Sequence, residues 1–310
     1  MNTTHQPMSG LWLPLITPFL DGQLDETSLK NLLKHYLQQP VDGFILAATT
    51  GEGLTLSKTE QETLIRITVA QMVEDKRKIP VYLGISGSDT RKVIEMLQQT
   101  SGWPLDGYLA TCPYYTRPSQ EGLLQHFTAL ADNADHSLAI YNIPYRTGVN
   151  LGNKVMLELA KHKNIIGVKD CCAIPSQSYE LLKNRPEGFS VLTGEDAFYY
   201  NALVHNANGA ILASAHFATS RFADVQIALA DNNHSKSLSI WNDISILADL
   251  LFTEPSPSAI KHCLWRAGLI KSPEVRLPML PVTSELALNL DTHIDMLDLR
   301  ATSKKVAKLF

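Results

Sequence analysis

The chain has 310 residues, 45% of them apolar and 19% charged, with 27 Lys and Arg against 31 Asp and Glu for a net charge of −4. That composition supplies a packed core without a signature of disorder, and it lacks the global cationic field that holds a polyanion, so no nucleic-acid partner is expected. Met1 to Gly10 lacks an apolar core of signal-peptide length, and no stretch approaches the roughly 20 apolar residues of a membrane span, so a cytoplasmic protein is expected.

In chain order, short apolar runs recur at Leu11 to Ile16, Gly43 to Ala48, Pro80 to Ile85, Gly107 to Thr111, Ser137 to Tyr141, Ile165 to Lys169, Phe189 to Leu192 and Gly209 to Ala213. Near-continuous apolar runs of this length suit parallel strands covered on both faces. Between them the pattern predicts helices over Asp25 to Gln38, Ser57 to Glu74, Asp89 to Gln99, Ser119 to Asn133, Asn153 to Lys161, Ser176 to Asn184, Glu195 to His205 and Thr219 to Asp231. Ser57 with Glu60 matches a capping box, and Glu121 places a carboxylate in the first turn after Ser119.

Eight alternating strand and helix units with short links predict an α/β fold, a (β/α)8 TIM barrel. An open doubly wound sheet is the weaker reading, because no G-x-G-x-x-G follows the first strand. After Asp231 the strand signal stops, and helices are predicted over Ser235 to Phe252, Ser258 to Gly268 and Ser284 to Leu299, among Pro255, Pro257, Pro273, Pro278 and Pro281. The expected organisation is a catalytic barrel over residues 1–231 and a C-terminal α-helical extension over 232–310.

A barrel of this kind places its chemistry at the carboxyl ends of its strands. Those ends carry Thr49-Thr50-Gly51-Glu52, Pro113-Tyr114-Tyr115, Tyr141-Asn142, Lys169-Asp170 and Gly194-Glu195-Asp196. Lys169 closes an apolar strand, where burial would lower its pKa and leave an amine able to attack a carbonyl carbon as a Schiff-base nucleophile. From position alone an ion pair with Asp170 is as good a reading. Thr49, Tyr115 and Tyr141 offer hydroxyls for proton relay around such a lysine.

The small residues of Thr49-Thr50-Gly51 suit backbone recognition of a carboxylate, although Gly51 could equally serve a plain turn. Arg146 could clamp a second carboxylate, or sit in a surface salt bridge. The ten histidines, His126, His162 and His262 among them, show no clustered ligand spacing, so no metal is expected. Cys112, Cys171, Cys172 and Cys263 lack finger spacing and are read as reduced thiols with a packing role.

Thr49-Thr50-Gly51-Glu52, Pro113-Tyr114-Tyr115 with Arg117-Pro118-Ser119-Gln120-Glu121-Gly122, Tyr141-Asn142-Ile143-Pro144 and Gly167-Val168-Lys169-Asp170 resemble, in order and spacing, the dihydrodipicolinate synthase and N-acetylneuraminate lyase family. The likeness runs from Gly10 to about Thr283. It implies a pyruvate-dependent, class I aldolase-type barrel with no cofactor beyond a covalent imine of pyruvate on Lys169. It further implies Tyr141 as central acid and base, and the backbone around Thr49 and Thr50 as holder of the pyruvate carboxylate. Thr49 and Tyr115 would complete a hydroxyl relay, Tyr115 coming from the adjacent subunit of a tight dimer that assembles to a homotetramer. The backbone carbonyls of Gly194 and Ile211 would line the site.

Arg146 within Tyr145-Arg146-Thr147-Gly148 is similar to the synthase branch, where it implies recognition of the carboxylate of L-aspartate 4-semialdehyde. The tails Glu254-Pro255-Ser256-Pro257 and Arg276-Leu277-Pro278-Met279-Leu280-Pro281 are similar to that branch as well. The implied reaction forms 4-hydroxy-tetrahydrodipicolinate, in lysine and diaminopimelate synthesis. The alternative is another pyruvate-dependent aldolase, acting on N-acetylneuraminate or a 2-keto-3-deoxy sugar acid, and a keto-acid-binding barrel without turnover is the reading from a different class. Departures from the family pattern are Asp170-Cys171-Cys172-Ala173 and Ser256-Pro257-Ser258-Ala259.

Where some synthases bind lysine at the dimer interface, the matching residues here are Lys58, Ser88 and Lys92. A cationic Lys92 would repel the ligand amine, so weak or absent lysine feedback is expected. Inhibition by sub-millimolar lysine in a steady-state assay would refute it.

Overall fold

The computed structural model describes residues 7–294. Strand β1 (Gly10–Pro14) is followed by a small hairpin of β2 (Phe19–Leu20) and β3 (Gln23–Leu24), then by β4 (Gly43–Leu46), β5 (Val81–Ile85), β6 (Gly107–Thr111), β7 (Ser137–Asn142), β8 (Ile165–Asp170), β9 (Ser190–Thr193) and β10 (Gly209–Ile211). All except the hairpin close into one parallel barrel in the order β1-β10-β9-β8-β7-β6-β5-β4. The expected TIM barrel is therefore present, with β1 pairing to both its last and its second barrel strand.

Helices α1 (Glu26–Tyr36), α2 (Lys58–Glu74), α3 (Thr90–Thr100), α4 (Gln120–Asn133), α5 (Pro144–Thr147), α6 (Asn153–Leu159), α7 (Pro175–Asn184) and α8 (Tyr199–Val204) occupy the links between strands, and α9 (Thr219–Ala230) follows the last strand. Several begin where the sequence offers a cap. Asp25 accepts from the amides of Thr27 and Ser28, Ser57 and Glu60 form the anticipated capping box, and Ser119 accepts from Gly122. Each cap is worth about 1 kcal/mol relative to alanine. Beyond the barrel come α10 (His234–Leu250), α11 (Ser258–Arg266) and α12 (284–294). The remainder of the helix anticipated to Leu299 lies outside the described residues.

Alternation along the strands sorts side chains into two cores. Leu11, Leu13, Phe44, Tyr108, Leu138, Ile140 and Val168 face outward, to the layer beneath the helices. Trp12, Ile45, Tyr82, Leu109, Ala139, Tyr141, Leu192 and Ile211 fill the barrel itself. Trp12 and Tyr82 meet edge to face at 5.1 Å, so the interior is a packed floor rather than a pore.

Three differences from the sequence reading have local causes. The run to Ala48 ends at Leu46 because Ala47 turns to φ 52°, in the left-handed region. The helix anticipated over Glu195 to His205 begins as a 3-10 turn at Asp196–Phe198, and α8 follows. Asp196 is drawn inward there to accept from Ser214 N at 2.8 Å and Ser214 Oγ at 2.5 Å. The hairpin β2–β3 was not anticipated, being only two residues per strand.

Two histidines give the fold a pH dependence. His126 lies against Thr90 Oγ1 at 2.9 Å, and His216 accepts from Ile16 N at 3.2 Å, while burial lowers both to about 4. Between that value and the unfolded value of about 6.5 the unfolded chain binds protons that the native chain refuses, so stability falls as pH falls through this window. A loss of roughly 1–2 kcal/mol per histidine is expected on moving from pH 7 to pH 5. Urea denaturation at the two pH values checks it, and an unchanged midpoint would contradict it.

Candidate active site

A cavity of about 350 Å3 opens at the carboxyl ends of the strands. Thr49, Thr111, Tyr141 and Arg146 line it from the barrel, and Ser256, Pro257, Pro278 and Met279 from the C-terminal extension. Strand register ties its lining to Lys169: Thr111 and Tyr141, which both line the cavity, pair with each other, Tyr141 pairs with Lys169, and Lys169 with Leu192. Parallel neighbours in register project side chains at one height, so Tyr141 and Lys169 are forced together.

Lys169 is 5% exposed, and its ammonium lies 4.5 Å from the centroid of the Tyr141 ring. Burial holds its pKa below that of an ordinary lysine, with Cys171 and Asp196 acting weakly in the opposite sense. Among the described residues no carboxylate comes within salt-bridge range of it. Asp170 is turned away, accepting from Ser178 Oγ at 2.6 Å and from Cys172 N at 3.1 Å. The ion-pair reading of Lys169 therefore does not hold.

Tyr141 is buried, and that burial raises its pKa well above that of a free tyrosine, with the nearby Cys171 thiol adding to the effect. Gly194 crosses directly over the lysine: a Cβ built there would fall inside contact distance of Lys169 Cε and Cys171 Sγ. Gly194→Ala is therefore expected to displace the lysine stem by about 1 Å and to slow its attack on a carbonyl by roughly 100-fold. Borohydride trapping of a keto acid on the variant reads this, and a wild-type rate would contradict it. Ile211 is buried at the next strand pair, its side chain in the barrel floor.

The Thr49–Glu52 turn carries the second feature. Glu52 N donates to Thr49 O and Gly53 N to Ala48 O, each at 3.1 Å, while the amides of Thr49, Thr50 and Gly51 have no intramolecular acceptor. Three consecutive N–H groups without an intramolecular acceptor, in a turn whose Thr49 lines the cavity, are chemically suited to an anion. Gly51 is more than a turn residue, since a Cβ would stand 2.8 Å from Leu15 O. Thr50 is buried and Thr49 exposed toward the cavity.

Arg146 projects from α5, the short helix that immediately follows β7. It has no salt-bridge partner among the described residues and stands 5.7 Å from the Tyr145 ring centroid. A guanidinium at a cavity wall without an ion-pair partner among the described residues is chemically suited to receive a carboxylate.

Of the anticipated site residues, Thr49, Tyr141 and Arg146 line this cavity, whereas Lys169, Thr50, Gly194, Ile211 and Tyr115 are not among its lining residues, and Tyr115 stands apart from the rest in its exposure. It has φ 70° and is 91% exposed, whereas Tyr114 supplies the lining. The sequence reading also missed Thr111, whose place at the end of β6 was an available signal, and the wall built by the extension, for which periodicity gives none. Among the described residues no three His, Cys, Asp or Glu side chains converge as a metal site.

Comparison with known proteins adds an independent line. Residues 7–297 match the model of the dihydrodipicolinate synthetase family. The chain is 40% identical over 287 residues to a 4-hydroxy-tetrahydrodipicolinate synthase 2 of Clostridium acetobutylicum, spanning 93% of this chain and 99% of that protein. It is 37% identical over 274 residues to a 4-hydroxy-tetrahydrodipicolinate synthase of Streptococcus pneumoniae, spanning 87% and 86% of the two. The crystal structure of a dihydrodipicolinate synthase from Thermotoga maritima superposes with a TM-score of 0.90 at 28% identity, covering 95% of this chain and 100% of that one.

Proposed function

Because the chain belongs to the dihydrodipicolinate synthetase family, we propose that it is a pyruvate-dependent lyase that condenses pyruvate with L-aspartate 4-semialdehyde to 4-hydroxy-tetrahydrodipicolinate, in lysine synthesis. One observation carries the reading beyond the likeness: a buried, unpaired Lys169 lies against Tyr141, which lines the same cavity as the Thr49 turn with its three free amides.

The free amine of Lys169 attacks C2 of pyruvate, and loss of water from the carbinolamine gives the imine. The amides of Thr49, Thr50 and Gly51 hold the pyruvate carboxylate during this step. Removal of a proton from the pyruvate methyl gives an enamine, whose carbon attacks the aldehyde carbon of the acceptor. Tyr141 carries protons for dehydration and for the new alkoxide, a task for which its proximity to the amine suits it. The acceptor's own amine then attacks C2, closes the ring and releases Lys169. Arg146 receives the acceptor carboxylate, and Gly194 packs against the lysine stem; the family likeness implies the carbonyls of Gly194 and Ile211 beside the lysine. Every step balances without a metal or organic cofactor.

The hydroxyl relay of Thr49 and Tyr141 is completed by Tyr115 of a second copy, in a tight dimer that assembles to a tetramer. The support for this is the Tyr115 side chain, held in a left-handed backbone and extended away from its own cavity. The enzyme works in the cytoplasm; no helix among the described residues is long and apolar enough to cross a membrane.

Borohydride reduction with pyruvate, read by intact mass and peptide mapping, tests the reading. A pyruvyl adduct on Lys169 that diminishes when L-aspartate 4-semialdehyde is added is the expected result. An adduct indifferent to that acceptor would favour the sugar-acid aldolase, and absence of any adduct would overturn the Schiff-base chemistry.

A further inference from the structure

Glu52 and Lys261 form an ion pair at 2.5 Å whose side chains are 2% and 0% exposed. Through it a fully buried lysine of the C-terminal extension reaches a strand-end turn of the barrel. Burying two opposite charges is costly and rarely repaid in stability, so the pair calls for another reason.

Glu52 directly follows Thr49-Thr50-Gly51 and sits at φ 52° and ψ 36°, which ends the turn. Its Oε2 accepts from Arg276 N at 2.9 Å, and its Oε1 has no hydrogen-bond partner, so the Lys261 ammonium alone answers that oxygen. Lys261 is held in turn: it donates to Glu274 O at 2.7 Å and stands 4.2 Å from the centre of the Phe19 ring. Arg276 stands 4.1 Å from the same ring and donates to Glu60 at 2.5 and 3.1 Å, to Thr55 O and to Gly22 O. Burial pulls the Lys261 pKa down to about 8, which leaves it charged at neutral pH.

The turn is therefore gripped at its far end by the extension. Beside that grip Thr17 Oγ1 donates to Gly51 O at 2.7 Å, which fixes the peptide joining Gly51 to Glu52. We propose that Lys261 is a positioning residue for the reaction: through Glu52 it sets the aim of the Thr49, Thr50 and Gly51 amides at the pyruvate carboxylate. The inference rests on the assignment of that turn to the pyruvate carboxylate. It gives the extension a catalytic purpose besides forming one wall of the cavity.

Three variants test it, read by borohydride trapping over a range of pyruvate concentrations and by urea denaturation. Lys261→Met leaves a buried carboxylate alone and is expected to lose stability. Glu52→Gln with Lys261→Met removes both charges and should recover much of it, because a neutral pair carries no uncompensated charge. Glu52→Asp keeps the charge and tolerates the left-handed backbone, but draws the turn toward the extension. In the double variant, half-maximal trapping is expected to need about 10-fold more pyruvate, with an unchanged maximal rate and unchanged acceptor KM, from a loss of aim at the amides. Glu52→Asp is expected to shift it in the same direction by a smaller factor.

A merely structural pair would lower the amount of active protein without moving the half-saturating pyruvate concentration. Wild-type pyruvate dependence in Glu52→Asp, or in the double variant, would overturn the proposal. Absence of trapping in the unmodified enzyme would instead overturn the Schiff-base reading on which it rests.

Discussion

Lys169→Ala is expected to abolish turnover, by roughly 10^4-fold or more, together with all pyruvate-dependent borohydride reduction. The variant should fold, since removal of an unpaired buried amine leaves no orphaned carboxylate within salt-bridge range. What disappears is the covalent route: without an imine the pyruvate methyl has no electron sink, and Tyr141 has nothing to protonate. The sign of the pH dependence follows from the same burial. Because the folded enzyme holds the Lys169 pKa down, the amine fraction, and with it the initial trapping rate, falls as pH is lowered through that depressed value. Trapping rates measured against pH on the wild type, beside the Lys169→Ala blank, check both parts. Residual pyruvate-dependent adduct in Lys169→Ala would move the nucleophile to another lysine.

The barrel was legible because parallel strands buried on both faces write continuous apolar runs, and helix caps mark the links between them. Lys169 was legible for the same reason: a charge closing such a run is conspicuous. Its unpaired state was not, because the choice between an ion pair with Asp170 and an unpaired amine depends on where Asp170 turns, and that is settled by Ser178, eight positions on. Thr111 went unread although it closes β6, since one hydroxyl at a strand end gains meaning only from the register that sets it beside Tyr141. The wall formed by Ser256, Pro257, Pro278 and Met279 left no trace in periodicity, being irregular chain returned over the barrel mouth. Tyr115 was legible as a strand-end hydroxyl, but its direction depends on the left-handed backbone at φ 70°, which local propensity does not predict.

Arg146→Ala is expected to separate the two halves of the reaction. Imine formation with pyruvate should persist, slowed only by the small rise in the Lys169 pKa when the nearby Arg146 charge is removed, because the guanidinium has no ion pair or hydrogen bond to Lys169. Use of L-aspartate 4-semialdehyde should weaken by about 10- to 150-fold in kcat/KM, the value of a charged hydrogen-bonded pair of 1.5–3 kcal/mol. Arg146→Lys should recover only part of this, since a point ammonium cannot reproduce two parallel donors. The decisive comparison is an acceptor that lacks the carboxylate: for such an aldehyde the wild type and Arg146→Ala should perform alike. If Arg146→Ala instead lost carboxylate-bearing and carboxylate-free acceptors equally, Arg146 would be shaping the cavity rather than reading charge. The single-clamp logic that favours an amino-acid semialdehyde over a polyhydroxylated sugar acid would then fall with it.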